Sequence, residues 1–461
     1  MRVLLVNANR YTQPPVPPVG LEYLVAPLRR AGHEPHILDL CFAEQPATAL
    51  QDALDDLHPD AAGFTVRNVD TVLYHTNEFF LDEIAALTAV VARAGIPLLV
   101  GGSGVATMPD EVRRYLGADF AIDGPAEGAL PELLTALESG GNNPPPVVNG
   151  WRSPSAPDER HPRGELLDYG PYLAARARFG FETQKGCTGR CIFCTEAHRP
   201  LLQRSPGVVV HEIASLVERG ARELFCCDSE FNQTLPHCKA FLDELIARRL
   251  AVDWTLYMKP TPHDAELFRL LARSGCTSVT LSVDTLGLYG PDPAYTEADV
   301  VSFVECAQNA GVPVAVEAGG FVPSDAERRP TLRIAVDLTV GLPGEPDDAP
   351  RRAVELFRAH RPATVGVNAY LRLYPGAELA ALVMADPELR KHVDPPDRDG
   401  LVRRFVRRFV RRFVRRFVRR FVRPVHYHHL DDDALERLIA GDPLFRIEGR
   451  ERGVNYQRLG N

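Results

Sequence analysis

Three cysteines stand close enough in the chain to act together: Cys187, Cys191 and Cys194, in the run Gly186-Cys187-Thr188-Gly189-Arg190-Cys191-Ile192-Phe193-Cys194. Spacings of four and three residues put three thiolates on one loop, and thiolate is the ligand type that iron–sulfur centres select. A [4Fe–4S] cube takes four ligands, so three cysteines leave one iron open to a small molecule. Two other readings use the same thiols. With His198 four residues beyond Cys194 they could form a tetrahedral zinc set, and two of them alone could be a redox pair. The loop follows an apolar run at 179–183. If that run is a strand, the centre sits at its carboxyl end, where β/α barrels keep their active sites.

Holding three thiols in place takes a scaffold, and residues 176–385 have the pattern of one. Strand-like runs at 179–183, 223–227, 254–258, 278–283, 313–318, 334–340 and 364–371 alternate with helical patterns at 209–219, 240–247, 264–272, 298–310 and 348–360. This alternation predicts an open or closed β/α barrel. Residues 1–140 form an earlier βα series, with strands at 3–6, 35–40, 61–66, 97–100 and 120–122 and helices at 21–31, 47–57, 82–94, 109–116 and 128–138. Its short connections predict a doubly wound, Rossmann-like parallel sheet, which places ligands at the carboxyl ends of its strands. Residues 141–175, rich in Gly, Asn, Pro and Ser, read as a linker. The expected class is α/β, with a small, mainly helical C-terminal region over 386–461.

The remaining composition narrows the function classes. Nine cysteines, an odd number, do not suggest a disulfide framework. Cys41, Cys276 and Cys306 lie in apolar contexts and read as core residues, which suits a reducing compartment. The short apolar N-terminus reads as a buried strand, not a signal peptide, and no apolar run is long enough to span a bilayer, so a cytoplasmic location is expected. The net charge of −9 conceals eleven arginines between Arg403 and Arg423, which leave the remainder at −20 and argue against a nucleic-acid partner. Those arginines belong to a repeated Arg-Arg-Phe-Val unit. On a helix its Phe positions drift by about 40° per repeat, and it reads either as a solvated basic face or as a surface for a membrane or an acidic partner.

The flanks of the cysteines, Gly186 before the first and Phe193 before the third, resemble the radical S-adenosylmethionine (SAM) superfamily signature. The resemblance implies that the open iron chelates the amino and carboxylate groups of SAM, and that one electron cleaves SAM to a 5′-deoxyadenosyl radical. It continues downstream. Arg204-Ser205-Pro206 resembles the start of the first barrel helix. Asp228 and Ser229, at the end of the second strand, are implied to hold the SAM ammonium, Ser229 standing where related enzymes commonly have a second acid. Ser282 and Asp284 end the fourth strand where the family contacts the SAM ribose, and Phe193 is implied to border SAM. The loop Gly341-Leu342-Pro343-Gly344-Glu345 is also similar to one in the superfamily, and Arg372-Leu373-Tyr374-Pro375-Gly376 resembles a segment of its cobalamin-containing branch.

A doubly wound domain ahead of such a barrel resembles the cobalamin-binding domain of that branch. The matching positions are Gly20 after Pro17-Pro18, Gly101-Gly102-Ser103 after a strand, and Gly124 after Asp123. A glycine loop lets backbone approach a flat ligand, and by itself suits a nucleotide equally well. The chain lacks an Asp-x-His-x-x-Gly motif, so no histidine from it reaches the lower face of cobalt. Arg67 is the candidate for that face, where a cation cannot ligate the metal; alternatively it lies on the surface or pairs with Asp70. The implied activity is methylation of an unactivated carbon in a natural product, peptide or lipid. A non-methylating rearrangement, cyclisation or oxidation, or a cofactor-binding sensor, are the alternatives. The implied partners are a small-molecule or peptide substrate and an electron donor such as flavodoxin or ferredoxin, with no nucleic acid and no stable membrane insertion.

Overall fold

The computed structural model describes residues 1–140, 144–310, 332–394, 422–450 and 459. Strands β1 (Arg2–Asn7), β2 (Glu34–Asp39), β3 (Ala61–Thr65), β4 (Leu98–Gly101), β5 (Phe120–Asp123) and β6 (Val147–Asn149) form a parallel sheet in the order β2-β1-β3-β4-β5-β6. Side chains alternate across it with a period of two. Leu4 and Val6 join Phe64, Leu50 and Ile84 on one face, and Val3 and Leu5 join Leu21, Leu24 and Leu133 on the other. Helices Pro46–Leu57 and Leu81–Ala94 therefore cover the first face, and Val19–Arg30 and Ala129–Glu138 the second, as a doubly wound sheet requires. Strand β6 lies inside the stretch expected to be a linker. The prolines that suggested a linker precede it, where their missing N–H groups cost the ladder nothing.

The second series runs β7 (Phe179–Phe181), β8 (Gln184–Lys185), β9 (Leu202–Gln203), β10 (Glu223–Cys226), β11 (Asp253–Met258), β12 (Cys276–Asp284), β13 (Arg333–Thr339), β14 (Thr364–Asn368), β15 (Leu371–Arg372), β16 (Val393–Asp394), β17 (His426–Tyr427) and β18 (Phe445–Ile447). Seven of these make a parallel sheet in the order β18-β14-β13-β12-β11-β10-β7, an open, partial barrel. The run at 313–318, expected to be a strand, lies outside the described residues, and β12 pairs directly with β13.

The described C-terminal region is mixed, not mainly helical. Helix Asp432–Ile439 packs toward helix Ala349–His360 and β18, while β16 and β17 pair antiparallel with each other and, through β17, with β15. β18 extends the barrel sheet at β14. These strands are two or three residues long and owe their form to edges that await a partner, which local propensity does not encode. The Arg-Arg-Phe-Val repeat lies outside the described residues, except for its last valine, Val422, which is buried in the core of the first sheet. No helix of the described residues is long and apolar enough to cross a membrane.

The carboxyl ends of the first sheet face the second unit. Tyr172 Oη lies 3.5 Å from Asn7 Nδ2 at the end of β1 and donates to Asp39 Oδ2 at the end of β2 over 2.8 Å. Asp70, beyond β3, accepts from Arg372 Nε at 3.0 Å with both side chains out of water, and Asp123, ending β5, pairs with Arg199 at 3.1 Å. Removing one member of a buried pair leaves an uncompensated charge and costs about 3–5 kcal/mol. Arg372→Met should lower the urea midpoint accordingly. Arg351→Met, which breaks an exposed pair with Glu355, should leave the midpoint nearly unchanged. Equal effects in the two variants would contradict this picture.

Candidate active site

The cysteine loop hangs from the two-stranded ribbon β8–β9, in which Lys185 pairs with Leu202. Gly186 turns the chain out of β8 with φ +85°, and a Cβ there would lie 2.0 Å from the Pro200 carbonyl, so no other residue fits. Gly189 N–H and Gln233 Nε2 donate to Cys187 Sγ at 3.3 and 3.2 Å, and Glu196 N–H to Cys194 Sγ at 3.4 Å. Cys191 Sγ lies 3.9 Å from Oδ2 of the buried Asp284. Cys191 is exposed and Cys194 half-buried at the surface of the loop. The desolvating protein around the sulfurs nevertheless pushes the Cys194 thiol up to about 11 and, together with the Asp284 carboxylate, pushes Cys191 up further. Such thiols ionise only against a strong local cation, which metal ligation supplies, and donors aimed at sulfur are what cluster thiolates accept. The loop thus fits an iron–sulfur centre.

The strand ends around the loop divide the other expected residues. Asp228 does not face an open site: its carboxylate accepts from Thr183 N–H, Thr183 Oγ1 and Gln184 N–H at 2.8, 2.5 and 3.2 Å, clamping the chain just before the cysteines. Burial nevertheless raises it to about 6. Ser229 is exposed. Asp284 caps the helix Thr285–Tyr289 through Gly287 N–H at 2.5 Å, and its second oxygen faces Cys191. Phe193 packs with the C-terminal strands, against the cluster of Leu371, Leu373 and Tyr427. Ser282 is half-buried at the end of β12, beside the Glu230 carboxyl.

Glu230 was missed by sequence reasoning. Its Oε2 is buried and has no hydrogen-bond partner among the described residues, and burial pushes the carboxyl up to about 8. A single acid in a polar loop has no spacing signature. Gln233 and Lys259 were missed for the same reason.

In the first unit, Gly20 and Gly101 border open space, Arg67 and Ser103 are exposed, and Ser103 Oγ donates to the Arg67 carbonyl at 2.7 Å. Arg67 makes no ion pair among the described residues; Asp70 is taken by Arg372. Open space at two glycines and an exposed cation with no ion pair among the described residues, on the side of the sheet where its strands end, suit a large flat ligand. Gly102 and Gly124 have other reasons to be glycine. A Cβ at Gly102 would lie 2.7 Å from the Val66 carbonyl, and one at Gly124 would lie 2.2 Å from the Trp151 indole.

Residues 8–134 match the B12 binding domain family, and residues 181–357 match the radical SAM superfamily. The chain thus joins a B12 binding domain to a radical SAM domain, the combination found in cobalamin-dependent radical SAM enzymes. Proteins similar to it include the tryptophan 2-C-methyltransferase of Streptomyces laurentii, 26% identical over 82% of this chain and 74% of that protein. The structure of the radical SAM methyltransferase TsrM from Kitasatospora setae, with cobalamin and a [4Fe–4S] cluster bound, aligns at TM-score 0.73 and 27% identity over 87% of this chain and 81% of that one. A second structure of that enzyme, with tryptophan and a SAM analogue, aligns equally well at 26% identity.

Two outcomes follow from this geometry. Cys191→Ala should abolish both the broad absorbance of the reconstituted centre and SAM cleavage. In the apo chain Glu230 holds its proton up to about pH 8. Its folded-state affinity for the proton lies above that of an unfolded carboxyl, so stability falls as pH rises through that interval. Glu230→Gln should therefore raise the thermal midpoint at about pH 9 and leave it unchanged near about pH 4. A variant less stable at the higher pH would contradict the buried, unpaired carboxyl.

Proposed function

We propose that this enzyme transfers a methyl group from SAM to a carbon of a small-molecule substrate, with the iron–sulfur centre on Cys187, Cys191 and Cys194 and cobalamin in the crevice bordered by Gly20, Arg67, Gly101 and Ser103. When bound, the centre and SAM supply one-electron chemistry and cobalamin a transferable methyl group. The observation that carries the reading is the fastening of the cysteine loop at both ends to the first unit, by Lys185–Glu127 at 3.0 Å and Arg199–Asp123 at 3.1 Å. Two cofactors that must act on one carbon gain from being held in a fixed relation.

The residues of the chain divide the remaining work. Arg67 presents a cation to the crevice that cannot ligate a metal through a lone pair. Ser282 and Ser229 stand at strand ends open to the SAM polar groups, while Asp228 holds the loop that carries the thiols. Glu230, whose carboxyl keeps its proton to about pH 8, offers the site a hydrogen-bond donor and not a base. The similarity to a tryptophan methyltransferase makes L-tryptophan the first substrate to try, ahead of other natural products, peptides and lipids. Reduction of the centre requires a one-electron donor of the flavodoxin or ferredoxin class.

Anaerobic incubation of the holoenzyme with methyl-labelled SAM, a low-potential reductant and L-tryptophan or a candidate extract tests this. Labelled product with S-adenosylhomocysteine is expected. Deoxyadenosine without label transfer would instead establish a rearrangement or oxidation, and absence of SAM cleavage a binding module. The protein should also carry about one equivalent of cobalamin through gel filtration, since a largely enclosed cofactor leaves slowly.

A further inference from the structure

We propose that Gln233 and Lys259 form a hydrogen-bond relay that raises the reduction potential of the centre through Cys187, an inference that rests on the iron–sulfur reading of the three cysteines. Gln233 is buried beside the loop and donates from Nε2 to Cys187 Sγ at 3.2 Å. Its Oε1 accepts three donors: Thr188 N–H at 3.3 Å, Thr188 Oγ1 at 2.9 Å and Lys259 Nζ at 3.1 Å. That set fixes the amide orientation, because the flipped amide would turn its NH2 toward an ammonium and an N–H, neither of which can accept.

The relay is built on two strand ends. Gln233 follows β10 and Lys259 follows β11. Asn232, with no exposure, locks them together: its Oδ1 accepts Lys259 N–H at 3.0 Å and its Nδ2 donates to the Lys259 and Pro262 carbonyls at 2.8 Å each. The ammonium therefore polarises an amide whose N–H points at a ligand sulfur. Reduction adds an electron to the centre and raises charge density on its sulfurs, so a donor that strengthens with that charge stabilises the reduced state. The other two cysteines lack this arrangement. Cys194 Sγ accepts backbone N–H groups from its own loop, and Cys191 Sγ faces the Asp284 carboxyl. The positive influence on the centre enters on the Cys187 side alone among these contacts.

The test is a reductive titration of the reconstituted full-length enzyme, followed by electron paramagnetic resonance, with iron content measured for each variant. Gln233→Leu should disfavour reduction about tenfold, which for a one-electron couple is about 59 mV. Lys259→Met, which touches no cysteine, should disfavour it about threefold, and Lys259→Arg should restore the wild-type value. In the Gln233→Leu background Lys259→Met should add little. An unshifted potential in Lys259→Met with full iron content would overturn the relay, and so would shifts that simply add in the double variant, since they would mean that the lysine acts through space. If Gln233→Leu fails to take up iron, Lys259→Met and Lys259→Arg decide the matter. Failure of the wild-type chain to take up iron would reject the cluster reading itself, a separate result.

Discussion

Lys185–Glu127 and Arg199–Asp123 tie both ends of the cysteine loop to the segment that follows the fifth strand of the first sheet. Lys185 is enclosed between Glu127 and Glu182, and although burial disfavours its ammonium, the two carboxylates outweigh that cost and hold its pKa above the usual lysine value. The pairing therefore persists across the pH range in which the protein would work. Every other feature of the crevice presupposes this attachment. Without it the loop would still be held to the barrel by β8, β9, Asp228 and Gln233, but its direct link to the sheet that carries the glycines and Arg67 would be gone.

Around this attachment the junction is dry and highly charged. Tyr23 of the first unit inserts its ring among Arg204, Lys185 and Arg163, whose cationic groups lie 5.0, 5.4 and 5.5 Å from its centroid. Arg204 is held by the buried Glu212, and Arg163 by the buried Glu22 at 3.0 Å. Charges in such surroundings stabilise little relative to an apolar filling, but each depends strictly on its partner. That dependence defines a single docking geometry. A displaced interface would leave a carboxylate or guanidinium unpaired out of water, a larger penalty than misplacing apolar contacts.

This physics also explains what the sequence could and could not disclose. The cysteine spacing and the two βα series were legible because they rest on local periodicity and on ligand number. The roles of Asp228 and Gly124 were not, since an acid after a strand and a glycine after an aspartate look the same whether they serve a ligand or the fold. In the structure Asp228 is saturated by Thr183 and Gln184, and Gly124 makes room for Trp151. Arg67 and Asp70 suggested an ion pair by proximity in sequence, but Asp70 pairs with Arg372, a partner three hundred residues away that no short-range pattern reveals. Gln233, Glu230 and Lys259 were invisible for the same reason: their significance lies in what strand order brings beside them.

The three thiols and the asymmetry around them belong together. Cys191 and Cys194 are held in surroundings that oppose ionisation, so a bound centre brings the cations that make them ligands, and its own net charge then becomes the largest one in the site. With Asp284 against one sulfur and the Gln233 amide against another, an added electron does not meet the same surroundings on every side. Charge should accumulate toward Cys187, where the donors are, and less toward Cys191, where the carboxyl is. A centre held there would thus be reduced in surroundings that the barrel makes unequal, with amide donors on the Cys187 side and a carboxyl on the Cys191 side.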